Sequence, residues 1–477
     1  MYPTIVFLTS LFFILLLLWI FHKKQDGTFN KFLKILTIIF CVVGFGRLFL
    51  SDSFIYIINK GVFLGTYYDT TDILQTILRW GYYLNYAVLP MAIFFDSRLF
   101  KNIASYVCLP FTILSAIYFN DFMIYFLSPK GNGIHLVEWF RYVYFVLELV
   151  LAIVISVTMQ IRHKHIFHIK DKREWLNFIV ALPFIVVTMM PVYAPQSLFG
   201  YSKMLAVIGS TYHLSWIVIS IILIFALYFL FRFTKYRTRY MLIVFLTIVL
   251  FYHFNSIFLM GITLSRLPVQ LCNLAAYLLI LAIPFKMTRL FQFCFLANTT
   301  GTLIALFAAD FNGGALGFWN IHFVLEHTLV LIIPILAIWL RIFPRIDKKA
   351  IKYTFIGFTI YFIFCLVAGT IINGYSDITG TTVNYFFMFD LDKALSYFPT
   401  LTFAKEIYYT FGRFIVYPIV VGFVYVGFSI LYLLFYLFTK FLYKIEDEQL
   451  QLRNSAIDLY EKVTKKKSKR ARGFINE

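Results

Sequence analysis

Charge is what this sequence has least of. Only 14% of its 477 residues are Asp, Glu, Lys or Arg, while 61% are hydrophobic. A soluble protein of this length needs far more polar surface, so a water-soluble globular fold is excluded. Cysteine is scarce as well: Cys41, Cys108, Cys272, Cys294 and Cys365 all fall in apolar runs, and none forms a CxxC pair. That pattern excludes a disulfide framework and a zinc knuckle, and the thiols read as small apolar side chains. No P-loop, Gly-rich dinucleotide turn or HExxH stretch occurs. Neither a metal site nor a cofactor is therefore expected. Acidic residues are outnumbered, 23 against 42 Lys and Arg, which leaves a net charge of +19. The basic residues gather in short loops and at the C-terminus, a placement that serves helix orientation and anionic lipid; no nucleic-acid partner is expected.

What remains is a series of apolar runs long enough to cross a hydrocarbon core of about 30 Å. The expected fold is an all-α polytopic membrane protein with about thirteen spans, at 4–21, 32–50, 75–95, 102–120, 137–161, 176–194, 213–231, 241–262, 268–285, 290–309, 321–340, 353–373 and 411–438. The first run, "TIVFLTSLFFILLLLWIF", lacks a basic start and a cleavage site and reads as a retained helix rather than a secretory signal. Every second loop is basic, from "HKKQDGTFNK" to "RIFPRIDKKAIK", while loops such as "DFNGGALGFWN" carry no basic residue. The expected localisation is therefore the cell membrane, with the N-terminus outside and the C-terminus cytoplasmic.

Three segments are expected: residues 1–235 as an N-terminal membrane half of about seven helices, 236–440 as a six-helix membrane domain, and 441–477 as a basic cytoplasmic tail. The tail reads as an amphipathic helix ending in "KKKSKRARGFINE", held near anionic headgroups. A faint internal echo links the halves. "DSRLFKNIASYVCLPFTILSAIYFNDF" parallels "KMTRLFQFCFLANTTGTLIALFAADF", and "IHLVEWF" and "IHFVLEH" follow at similar distances. The matching spans share one orientation, so a repeat would be parallel.

Polar groups inside a span are costly unless they meet a partner or water. "LPVQLC" (267–272) places Pro268 in the expected first turn of a helix, where its missing N–H costs nothing. Cys272 then lies near the positive end of that helix, which favours a thiolate. Cys272 and His327 are expected at one depth, about 6–10 Å below the outer boundary at about 1.5 Å per residue. Asp310, His322 and Asn384 lie toward the same side. Two readings stay open: a nucleophile and base, Cys272 and His327, with Gln270 or Asn384 donating to an oxyanion; or a polar seam in which Gln, His and Asn join helices.

From about 241 to 437 the chain resembles the YwaF family, small six-helix bacterial membrane proteins. The counterparts of its motifs are "LPVQLC" (267–272), "AD" (309–310), "EHT" (326–328) and "NYFF" (384–387). An animal branch of that family is held to be a cysteine-dependent phospholipid acyltransferase. The resemblance implies Cys272 as acyl acceptor and His327 as its base, with Gln270, Asp310, His322, Asn384 and Tyr385 lining the substrate. Two departures stand out. The family's histidine before the cysteine is Gln270 here, and the glycines around the second histidine are Glu326 and Thr328. The expected function is a lipid-modifying acyltransferase or hydrolase acting on membrane phospholipids near the outer leaflet. The alternatives are a transporter or flippase with a polar intramembrane binding site, and a non-catalytic scaffold; whether the protein is an enzyme at all is left open.

Overall fold

The computed structural model describes residues 1–50, 70–120, 138–162, 172–200, 204–260, 264–307, 309–311, 313–389, 406–407, 409–410 and 412–464. Among these residues the protein is all-α and holds no sheet; the one β feature is an isolated antiparallel bridge between Leu205 and Gly314. Ten helices are long and apolar enough to cross a membrane. They are Tyr2–Ile20, Asp26–Gly46, Arg98–Ile117, Tyr142–Arg162, Thr211–Phe231, Tyr236–Phe258, Thr288–Phe307, Phe318–Trp339, Lys348–Gly374 and Val416–Thr464. The remaining three expected spans take other forms, each for a local reason. The run at 75–95 breaks at Leu84 into Thr70–Tyr83 and Asn85–Phe94. At that break Asn85 Nδ2 donates to Tyr82 O (2.8 Å) and to Thr112 Oγ1 (2.9 Å), so the interrupted backbone keeps a partner. The run at 176–194 is a 17-residue helix, Lys172–Thr188, with Pro183 inside it. The run at 268–285 yields only the 12-residue helix Leu271–Ala282.

Two compact units form. One comprises Met1–Val207, Ile248–Arg266 and Phe311–Leu325; the other comprises Ile208–Thr247, Leu267–Asp310 and Glu326–Glu477. In the first unit, Tyr2–Ile20 packs on Glu138–Arg162, which also packs on Asp26–Leu50. Arg162 closes the end of that packing with an ion pair to Asp26 (2.8 Å). Arg98–Ile117 carries a π-helical turn at Ala104–Cys108. Glu148 is fully buried there, while the Arg141 side chain and the His163, His165 and His168 loop lie outside the described residues. His253 bonds Thr188 O through Nε2 (2.8 Å), joining Tyr236–Asn255 to Lys172–Thr188.

The second unit is built on Thr288–Phe307, which packs against Leu271–Ala282, Lys348–Gly374 and the long C-terminal helix. That last helix runs unbroken from Arg413 to Thr464, 52 residues. It passes residue 441, where the basic tail is expected to start, without a break. The run "KKKSKRARGFINE" lies outside the described residues.

Candidate functional site

The site is built around a helix that starts late. Leu267 to Gln270 is non-helical, with Val269 N closing a tight turn on Leu267 O (2.7 Å), and Gln270 is the N-cap residue in an extended conformation (ψ 144°). Pro268 therefore precedes the helix instead of opening it, which corrects the expected start at 268. At about 1.5 Å per residue, Leu271–Ala282 is roughly 18 Å long, well short of a hydrocarbon core.

Where this short helix begins is fixed by its neighbours. Asn298 donates its Nδ2 to Leu271 O. The Tyr361 hydroxyl lies beside the Leu271 backbone and the thiols of Cys272 and Cys365. Glu326 is an electrostatic neighbour of the Cys272 sulfur. Asn298, Glu326 and Tyr361 each sit in the middle third of a long apolar helix. The first turn of Leu271–Ala282 consequently lies near mid-depth. Broken helices of this kind are tolerated inside a membrane where the freed backbone is buried in protein or lines a cavity.

Side-chain amides supply that backbone's partners. Gln270 makes a two-point clamp: Nε2 donates to Asn384 O (3.1 Å), and Oε1 accepts from Phe386 N (3.1 Å). Asn373 repeats the device on Val383, donating to its carbonyl (2.9 Å) and accepting from its N–H (2.8 Å). Asn384 Oδ1 accepts from Phe389 N (2.8 Å), and Tyr417 donates to Met388 O (2.6 Å). The clamp holds Phe386 at φ 51°, a left-handed conformation that bulky side chains rarely adopt. Its ring is thereby set against Phe358, Tyr361 and Phe362. Tyr385 is buried, which raises its hydroxyl above the ordinary range, with nearby Cys365 adding to the shift.

Polar atoms remain in this interior that the fold does not use. Asn298, Thr299 and Thr302 are fully buried on Thr288–Phe307. Among the described residues, Asn298 Oδ1, Thr299 Oγ1 and Thr302 Oγ1 have no hydrogen-bond partner. Asn298 and Thr302 are four apart, so they share the face that meets Leu271; Gly301, one residue away, lies against the Leu271 side chain. Each unpaired polar group in an apolar interior costs about 1–3 kcal/mol, so several on one helix call for an explanation.

The expected residues come together only in part. Gln270, Asn384 and Tyr385 meet, but as a backbone clamp. Cys272 donates its thiol hydrogen bond to Asn273 Oδ1 (3.1 Å) and has Glu326 and Tyr361 as neighbours. Among the described residues no pairing of Cys272 with His327 is evident; His327 follows Glu326 and lies about 100° further around the same helix. Asp310 is exposed beyond the end of Thr288–Phe307. His322 belongs to the other compact unit, where its Nε2 bonds Phe254 O (3.2 Å). Among the described residues, no group of three His, Cys, Asp or Glu side chains is placed to hold a metal. Asn298, Thr302, Tyr361 and Asn373 were not singled out from the sequence. For Asn298 and Thr302 the signal is present in "ANTTGT" (297–302), a polar run in the middle of an apolar span.

With that geometry in view, the comparison with known families decides one point. Residues 208–436 match the TMEM164 family. The match covers the Leu271 site and most of the second unit, a little under half of the chain. It corrects the expected YwaF-type domain at 241–437 and, with it, the acyltransferase activity drawn from that resemblance. No curated protein and no solved structure matches the chain. What stands is a multi-pass membrane protein carrying a TMEM164-type region, with no Cys–His pair evident.

Proposed function

We propose that the Leu271 cluster is an intramembrane binding site for a lipid-soluble molecule with a polar head, and that the protein carries or flips that molecule across the bilayer. One observation supports this above the others: Asn298 Oδ1, Thr299 Oγ1 and Thr302 Oγ1 are buried and unpartnered beside a helix that begins at mid-depth. A ligand hydroxyl or amide would pair with them and offset the cost of burying them. Discontinuous helices with polar breaks near the midplane are the usual site architecture of secondary transporters. Membrane phospholipids are the proposed ligands, and the alternation of basic loops supports an N-out, C-in orientation. A parallel repeat of the two halves would suit such a protein, and the sequence echo supports it.

A second reading keeps a lipid-modifying reaction at Cys272. The observation in its favour is that Glu326 lies within electrostatic range of the Cys272 sulfur. Cys272→Ser separates the two. The experiment reconstitutes the purified protein in vesicles with fluorescent phospholipids and follows both their movement between leaflets and their chemical conversion. Binding and transport predict unchanged movement in the serine variant, because a hydroxyl replaces a thiol of similar size. A product formed by the parent and abolished by Cys272→Ser would establish thiol chemistry and end the transport reading.

A further inference from the structure

The long C-terminal helix uses one face and leaves a second face bare. On the used face Glu446 is fully buried and Leu450 nearly so. Glu446 takes a bond from Tyr228 and pairs with Arg341 (3.0 Å), and Arg341 also reaches Asp447 (3.0 Å). The other face carries Ile445, Gln449, Leu452, Ala456, Leu459 and Val463, spaced alternately by four and three. Leu452, Leu459 and Val463 are exposed by 64–75%. At roughly 100° per residue, this stripe is centred about 120° from the buried face. It continues the outward-facing Leu434, Phe438 and Phe441 of the span.

A membrane surface does not fit this stripe. The helix is unbroken over 52 residues, about 78 Å at 1.5 Å per residue, against a hydrocarbon core of about 30 Å. Its last turns project away from the bilayer, so the stripe faces water unless a protein covers it. Its spacing is that of a coiled-coil seam, with Ile445, Leu452 and Leu459 at one core position and Gln449, Ala456 and Val463 at the other. Leu at the first position and a polar residue at the second favour two strands in register. Copies inserted in one membrane with one orientation present these helices side by side and parallel. Parallel packing then brings Glu448 of one copy opposite Arg453 of the other, and the reverse, so the flanks attract in both directions. Among the described residues of one copy, Glu448 is paired with Lys444 at 4.0 Å and Arg453 lies 6.0 Å over the Phe233 ring.

We propose that the segment 445–463 pairs in parallel with the same segment of a second copy, making the protein a homodimer joined outside the bilayer. The proposal is independent of what the Leu271 site binds, and the segment lies beyond the TMEM164 match.

Single cysteines introduced at Leu452 and at Gln451 in the full-length chain test this, with mild oxidation in isolated native membranes and the parent chain as background. Leu452→Cys should form a disulfide of twice the chain mass, about tenfold faster than Gln451→Cys, which lies off the seam. Glu448→Arg should slow that reaction severalfold, and Glu448→Arg with Arg453→Glu should restore it. Equal rates at Leu452 and Gln451, a product of another mass, or no recovery in the double reversal would each overturn the dimer. Unchanged sedimentation of the charge variants in detergent would show that they still fold.

Discussion

Two buried polar clusters occupy the second unit, and they are finished differently. Around Glu446 the carboxylate is spent: it holds Tyr228 and Arg341, the Arg341 guanidinium stacks on Tyr443 at 4.2 Å, and Tyr443 donates to Ile338 O. Arg232 Nε and Trp339 Nε1, beside Tyr228, have no hydrogen-bond partner among the described residues. Arg239 adds a bond to Leu340 O (2.6 Å). Around Leu271 the clamp residues are spent, but Asn298, Thr299 and Thr302 keep idle oxygens. A network whose members satisfy one another rigidifies a fold; one left partly open has capacity for something else. The first cluster ties the C-terminal helix to its unit, and the second is where a ligand has polar atoms to meet.

Breaking the first cluster should produce the larger effect. Glu446→Ala removes the buried acceptor shared by Tyr228 and Arg341 and leaves Arg341 with the exposed Asp447, a loss of about 3 kcal/mol for a largely buried pair. The check is unfolding in mild detergent, where the variant should melt well below the parent. Tyr228→Phe removes one bond to the same carboxylate and should cost about 1–2 kcal/mol by the same measurement.

The clamp at Gln270 sharpens the comparison at a middle scale. Gln270→Ala leaves Asn384 O and Phe386 N without their partner, a loss of about 2 kcal/mol. The same change frees Phe386 from its left-handed conformation. Phe386→Gly would relieve that backbone but remove a ring from Phe358, Tyr361 and Phe362. If Gln270→Ala shifts stability by no more than an exposed substitution does, the clamp is not what holds the 383–389 segment.

The sequence declares the membrane fold through composition and run length, because burying 61% apolar residues in water has no solution at this chain length. It declares less about helices that stop early. Hydropathy sees Leu267–Ile283 as one apolar stretch, whereas the break at Gln270 depends on Asn298, Asn384 and Phe386, all distant in sequence. The pairing of Cys272 with His327 rested on counting residues from expected helix ends. Those ends moved, to Leu271 and to Phe318, yet the first turn of Leu271–Ala282 stays level with the Glu326–His327 turn; depth alone does not fix which side chain of that turn faces the sulfur. Glu326, noted only as a departure from a family motif, is the neighbour the sulfur has. Gln270 and Asn384 were legible as partners in one region, but their work is on backbone, which spacing alone does not distinguish from work on a ligand.

The most direct test of the contrast is the double readout of Thr302→Val. Valine matches threonine in shape and removes only the idle hydroxyl. The variant should unfold no lower than the parent, and up to about 1 kcal/mol more stably, because an unpaired buried hydroxyl is a cost. Crosslinking by a photoreactive phospholipid at Thr288–Phe307 should meanwhile fall severalfold. A variant that loses stability and keeps its lipid labelling would show that the hydroxyl is structural glue, and the Leu271 site would no longer be a binding site.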